Sequence, residues 1–360
     1  MVSAKANKGN SSVKLVSQNV RGLKSDMRLE ELFAYIIRMG IIATCIQETW
    51  RSGTEVLENG DSLLLLAGQN AALQTGKRGS QGVGIALNSV GVVAWRAGGC
   101  VLHNDLGARV IAIRLLVRDL FNNDVGVFLV SAYAPVSSET DQVWEQYYDQ
   151  LDACIARKHP DDILIIGTDS NSSIGTKSER SDVEDANSIY RGPVGSFGLP
   201  HVNNAGRRFL SYLATNELVA TSTCFQKRNY GTWQHPRSKK LHQIDHFVVS
   251  AAARKSVLDT GITDPILDSD HRAIRCRLRL MSRLKCRTEL RSKLIALDYS
   301  SLQNNDTAVT FCEAVSSNVD QGNGRSYTSL ASSMVKAATS ILPRKERAQP
   351  GWFMNLSYWH

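Results

Sequence analysis

Twice in this chain an amphipathic helical stretch feeds directly into a short, uninterrupted apolar run, and each run ends in a polar cluster. In the first, Leu29, Leu32, Phe33, Ile36 and Ile37 recur at helical spacing, with Ser25 as N-cap and Gly40 just past the C-terminus. Ile41–Ile46 follows as a buried strand and delivers Gln47, Glu48 and Thr49. In the second, Val143, Trp144, Tyr147, Leu151, Cys154 and Ile155 mark a helix over 141–158 that Pro160 ends. The apolar run 162–166 then delivers Gly167, Thr168, Asp169, Ser170 and Asn171. A further strand over 13–20 precedes the first helix and ends at Asn19. Polar residues at the ends of apolar strands converge on one edge of a sheet, which is how α/β sites are commonly built.

More strands are expected over 62–67, 82–88, 91–95, 108–117 and 125–132, separated by Gly-containing or polar turns. Residues 172–206, rich in Ser, Gly, Asn and charge, are expected to form a long surface loop. A helix over 207–216 and strands near 218–224, 230–234, 243–250 and 271–280 complete the pattern. The predicted fold is α/β, a four-layer sandwich of two packed mixed sheets flanked by helices. The expected organisation is a disordered stretch over 1–12, one domain over 13–281, and a basic, partly helical linker or tail over 282–360. That tail holds a helix near 327–342 and a basic segment, 343–353, ending in Trp352 and Phe353.

No apolar run reaches the roughly 18 residues a membrane span needs. The first twelve residues have no apolar core of a secretory signal. Seven Cys, an odd number with no C-x-x-C, argue against a disulfide framework and a Cys-based zinc site. A reducing compartment, nucleus or cytosol, is the expectation. Charge says more. Nine basic residues stand between Arg272 and Lys293 against Glu289 alone, a net of +8 that equals the excess of the whole chain. In 271–280, Ile274, Cys276, Leu278 and Leu280 alternate with Arg275, Arg277 and Arg279, so one face is buried and the other is an arginine row. Such a concentration is either a solvated strand and linker or a footprint for a polyanion.

Asn19, Glu48, Tyr133, Asp169 with Asn171, Asp245, and Asp270 with His271 each have an ordinary structural explanation taken singly. Together they supply carboxylates for one hard cation, amides for phosphate oxygens, a phenol, and a His with carboxylates able to orient it. Phosphodiester hydrolysis needs that inventory: a cation at the phosphoryl oxygens, a base for water, and an electrophilic partner. Zinc is not favoured, since H-E-x-x-H is absent and the eight His are dispersed. The dinucleotide motif fails too, because Gly82-Val83-Gly84 lacks the third glycine.

In order, the segments are Gln18-Asn19-Val20-Arg21-Gly22-Leu23, Ile46-Gln47-Glu48-Thr49, Ala132-Tyr133-Ala134-Pro135, Gly167-Thr168-Asp169-Ser170-Asn171, Gln243-Ile244-Asp245-His246-Phe247 and Ser269-Asp270-His271. This succession resembles the endonuclease/exonuclease/phosphatase superfamily over about residues 12–281. It is most like the abasic-endonuclease-like endonuclease domain of non-LTR retrotransposons. The segments Asn203-Asn204-Ala205-Gly206-Arg207-Arg208-Phe209-Leu210 and Gly231-Thr232-Trp233 resemble that branch, and Arg21 stands where abasic-site enzymes carry an acid. Thr168 departs from the family's Gly before the Asp.

The resemblance implies a DNA endonuclease dependent on Mg2+, with Mn2+ as the alternative, that nicks one strand to leave 3′-OH and 5′-phosphate ends. It implies Glu48 as main metal ligand with Asn19 beside it and Asp270 backing the metal side. Asp169 would position or deprotonate water, Asn171 hold a phosphate oxygen, Tyr133 donate to the phosphate or help set the pKa of Asp169, and His271, oriented by Asp245, stabilise the phosphorane. Arg207, Arg275, Arg277 and Arg279 are the candidate DNA contacts. DNA is the expected partner, a membrane is not, and a reverse transcriptase is a partner if the chain belongs to a larger element. A phosphomonoesterase of the same fold and a catalytically silent nucleic-acid-binding remnant are the competing readings.

Overall fold

The computed structural model describes residues 12–69, 81–119, 121–176, 192–280, 299–320, 334, 336–338 and 340–343. The chain divides into two compact units, Met1–Leu284 and Lys285–His360. The first opens with β1 (Val13–Asn19), α1 (Asp26–Met39), β2 (Ala43–Gln47), β3 (Thr54–Asn59), β4 (Ser62–Ala67) and β5 (Val83–Leu87). Next come α2 (Ser89–Ala97), β6 (Leu102–His103), β7 (Val110–Arg118), β8 (Asp124–Tyr133), α3 (Asp141–Ile155) and β9 (Ile163–Asp169). It closes with α4 (Asn204–Thr215), β10 (Leu218–Ala220), β11 (Trp233–Gln234), β12 (Leu241–His242), β13 (Asp245–Ser250), β14 (Val257–Ile262) and β15 (Ile274–Leu278).

Seven strands form one sheet in the order β14-β15-β1-β2-β5-β4-β3, and six form the other in the order β10-β13-β9-β8-β7-β6. Each is antiparallel except for one central parallel pair, β1 with β2 and β8 with β9. The inner faces meet over Leu15, Cys45, Ile85, Ile113, Leu129, Ile165, Phe247 and Cys276. Outside the first sheet, α1 buries Leu32, Phe33 and Ile36 against Val16, Ile46 and Leu64. Outside the second, α3 and α4 bury Trp144, Tyr147, Phe209 and Leu213 against Phe128, Ile166 and Val248. This is the four-layer α/β sandwich. The two parallel pairs point their C-terminal ends, Asn19, Gln47, Tyr133 and Asp169, into the seam where the site forms.

Ser25 caps α1 as expected, accepting from Arg28 N, and Gly40 follows in the left-handed region at φ 62°. The expected strand over 91–95 is instead the middle of α2. Its valines favour a strand, but tertiary context overrides that preference. Asn88 caps the helix by accepting from Gly91 N at 2.9 Å. Gly91 rests so close to Ile42 that a Cβ would come within 1.9 Å of its carbonyl oxygen. Val92 and Ala94 then enter the inner core. Strands β3 and β14 were not anticipated, β3 because its Thr54-Glu55-Val56-Leu57-Glu58-Asn59 sequence lies largely exposed on an edge.

In the second unit the polar stretch after 299 contains α5 (Asn305–Asp320), which was not expected, and residues 334, 336–338 and 340–341 are helical. Ala338 and Leu342 pack with Leu302 and Phe311 there. The expectations for residues 1–11, for 177–191 of the long loop, for the basic residues after 280 and for the aromatic tail lie outside the described residues. Among the described residues no helix is long and apolar enough to cross a membrane.

Candidate active site

Asn19 closes β1 and is wholly buried. Its side-chain amide donates to Glu48 Oε1 at 2.9 Å and to Asp169 Oδ2 at 2.9 Å, tying one carboxylate from each sheet to a single group. Glu48 follows β2 and also accepts from the Tyr133 hydroxyl at 2.9 Å and from Trp50 Nε1 at 3.2 Å. Burial, then the charge of Glu48, push the Tyr133 phenol up, so it stays a donor. Arg109 lies over the Tyr133 ring at 5.4 Å. Glu48 makes no ion pair among the described residues.

Asp169 ends β9 and stands directly opposite Asp245, the first residue of β13. Asp169 Oδ1 accepts from Asn171 N at 3.0 Å, and Asn171 Nδ2 donates to Ala134 O at 2.9 Å. His271 sits between the two acids. Its Nδ1 is 3.1 Å and 3.2 Å from the oxygens of Asp245, and its Nε2 is 3.9 Å from Asp169 Oδ2. The last distance is too long for a hydrogen bond and leaves Nε2 free to meet an incoming oxygen. Burial pulls the imidazole down, but Asp245 and Asp169 outweigh it and raise it to about 10. Burial and the charge of Asp245 push the Asp169 carboxyl up to about 7.

The backbone around these side chains is strained in the way functional sites often are. Arg21, Glu48, Trp50 and Asn171 take φ of 49°, 53°, 55° and 47°, a region that costs a residue with a side chain roughly 1–2 kcal/mol.

Asp169, Asp245 and His271 offer ligand atoms all within 4.8 Å of one another, a set that could hold a metal ion. Magnesium prefers oxygen ligands to an imidazole nitrogen. The part of the cluster that fits a hard cation is therefore Glu48, with the Asn19 amide beside it, which leaves Asp169 to face His271.

Asp270 is placed differently. It is exposed, paired to Arg21 Nη1 at 2.9 Å, and accepts from Trp233 Nε1 at 3.1 Å. Arg207 is exposed on the first turn of α4. Arg275 is ion-paired with Asp259 at 3.2 Å, and the row Arg275, Arg277, Arg279 follows β15 away from the cluster.

Three positioning residues went unassigned from sequence. Gln18 is fully buried; its Oε1 accepts from Ile266 N at 2.7 Å, and its Nε2 donates to Leu267 O and His271 O, both at 3.0 Å. Gln47 Nε2 donates to Ser17 Oγ, Ser131 Oγ and Gly167 O at 3.1, 3.1 and 3.2 Å, joining the two sheets beneath the site. Thr232 Oγ1 accepts from Asp245 N at 3.2 Å. The one signal was adjacency, since both glutamines precede a site residue in the quoted motifs. Gln18→Ala should cost on the order of 2–4 kcal/mol in a urea unfolding series, because buried backbone groups lose their partners. A loss under about 1 kcal/mol would show that water replaces the amide.

A second outcome concerns pH. His271 is raised in the folded chain, so its stabilisation is complete below about 6.5 and is lost as pH rises through about 10. In EDTA, the wild-type melting temperature should fall across that window more steeply than that of His271→Gln. Parallel curves would mean the imidazole is not held charged.

No family model matches the chain. It is 31% identical over 186 residues to Craniofacial development protein 2 of Bos taurus, covering 51% of this chain and 28% of that protein. It is 30% identical over the same length to the Tragulus javanicus protein of that name, 29% of which is covered. The matched region thus spans less than a third of these relatives. Among solved structures, the Xenopus laevis APE2 catalytic domain aligns at TM-score 0.52 and 15% identity, over 75% of this chain and 93% of that one. The AP endonuclease LMAP from Leishmania major aligns at TM-score 0.50 and 16% identity, over 75% and 88%. At these identities the likeness is one of fold alone, the four-layer α/β sandwich expected from a sequence whose motif order resembles the endonuclease/exonuclease/phosphatase superfamily.

Proposed function

We propose that this chain is a magnesium-dependent phosphodiesterase of that superfamily, of the non-LTR retrotransposon type, and that it nicks one strand of DNA to leave 3′-OH and 5′-phosphate ends. One observation carries the reading. His271 is held by Asp245 through Nδ1 with its Nε2 facing Asp169, and Asn19 ties Asp169 to Glu48. Glu48 and Asn19 would hold the cation, which supplies positive charge at the phosphoryl oxygens when bound. Asp169, with its proton affinity raised toward neutrality, takes a proton from the attacking water, whose oxygen bonds to phosphorus as the bond from phosphorus to the 3′-oxygen breaks and that oxygen leaves with a proton from solvent. His271 Nε2 and the Tyr133 hydroxyl donate to the phosphoryl oxygens as charge builds there, and Asn171 orients the phosphate.

The AP endonuclease among the structural neighbours supports DNA as the substrate class. So do the positions of the retrotransposon-like segments: Asn203 caps α4, Thr232 fixes Asp245, and the Trp233 ring lies 6.2 Å from His271. The test is incubation of supercoiled plasmid with the purified chain, with magnesium and with EDTA. Open circles that DNA ligase reseals support nicking with 3′-OH and 5′-phosphate ends. Release of inorganic phosphate from a 3′-phosphate oligonucleotide without nicking would favour the phosphomonoesterase reading, and neither product would favour the silent remnant.

A further inference from the structure

The outer face of the seven-stranded sheet carries a ladder of cations that the active-site reading does not use. β15 pairs antiparallel with β1, with Lys14 opposite Arg277 and Val16 opposite Arg275. Ile274, Cys276 and Leu278 enter the inner core, so alternation sends Arg275, Arg277 and Arg279 to the other face. Lys14 shares that face, because directly paired residues point the same way. Lys14 and Arg279 are exposed. Arg275 is neutralised by Asp259, which also takes Lys227. Lys14, Arg277 and Arg279 make no ion pair among the described residues, and the buried Arg277 Nε has no hydrogen-bond partner.

Like charges directly opposite one another destabilise a sheet. Lys14 donates to Met39 O at 3.4 Å, and Asp259, opposite Arg277 on its other side, is already shared by Lys227 and Arg275, so an anion lying across the Lys14–Arg277 pair relieves the remaining repulsion. Successive rungs are about 6.7 Å apart, twice the ~3.4 Å axial rise between phosphates on one nucleic-acid strand. Lys14 lies five residues below Asn19 on β1, about 17 Å at strand rise. The ladder therefore lies apart from the candidate active site.

We infer that Lys14, Arg277 and Arg279 form a second surface, separate from the candidate active site, that takes the phosphate backbone of a nucleic acid without reading its sequence. The outward rungs carry no aromatic or aliphatic side chain able to enter a bilayer, which favours nucleic acid over a lipid headgroup. The inference stands whether or not the site hydrolyses phosphodiesters.

The test uses the whole chain in EDTA and a fluorescein-labelled single strand of about 20 nucleotides, titrated by anisotropy between roughly 50 and 200 mM salt. Replacing Lys14, Arg277 and Arg279 together by Gln should weaken binding and reduce the log–log salt slope by about 2, at ~0.7 per phosphate contact on a single strand. An unchanged slope overturns the proposal. If the triple variant loses its cooperative melt, the exposed Arg279→Glu alone decides, with a slope reduced by at least about 0.7 expected and no change fatal. Loss of binding to phosphatidylserine vesicles with oligonucleotide binding intact would also overturn it, in favour of a membrane.

Discussion

Glu48→Gln should abolish magnesium-dependent nicking while the sandwich stays folded. The substitution keeps the size of the side chain and removes its charge. At this position Oε1 already accepts from Asn19 and Tyr133 and Oε2 from Trp50. An amide can satisfy at most one side of that arrangement, because its NH2 would face donors. The cation loses the carboxylate that no other cation in the described residues neutralises. A metal clamp on phosphoryl oxygens supplies several kcal/mol of transition-state stabilisation, so a drop on the order of 10³-fold in rate is expected. The measurement is plasmid nicking across a magnesium titration, with circular dichroism as the fold control. Wild-type rates in the variant, or full wild-type activity in EDTA, would remove Glu48 and the cation from the mechanism.

His271→Ala is expected to lower kcat by about 10²–10³, the usual cost of one preorganised donor at developing charge, with little change in KM. Asp245→Asn should reproduce part of that loss. It leaves the imidazole in place but removes the charge that orients Nδ1 and keeps the ring protonated. Its pH–rate profile should then lose its alkaline limb at lower pH than the wild type. If His271→Ala changes kcat less than severalfold, the histidine merely fills the seam between the sheets.

The strand ends were legible in the sequence because apolar runs stopping at polar residues are a local signal. Asn19, Glu48, Tyr133, Asp169 and Asp245 each sit at or just beyond a strand terminus. Their pairing was not local. That Asp169 faces Asp245, or that one amide joins Asn19 to two carboxylates from different sheets, follows from register and sheet packing alone. Gln18 and Gln47 were hidden for the same reason, since a buried amide reads as a polar interruption until its partners are known. The segment 91–95 misled because three valines within the span 90–93 outweigh a capping Asn and a close-packed glycine on local preference. The arginine row was visible as charge, but its neighbour Lys14, on the far side of a long connection, was not.

The side chain of Gln18 reaches the backbone of His271, 253 positions later in the chain. During synthesis at about 5–20 residues per second, that separation amounts to on the order of 10–50 s. Throughout that interval β1 lacks its β15 neighbour, and one flank of the central strand is an open edge of the kind that invites wrong pairing. The emerging polypeptide also has no imidazole to complete the cluster around Asp169. Until His271 emerges, the candidate site is therefore incomplete. The candidate site is completed in one step, when β15 closes against β1, and a nascent chain stalled before that point presents an open sheet edge rather than an assembled site.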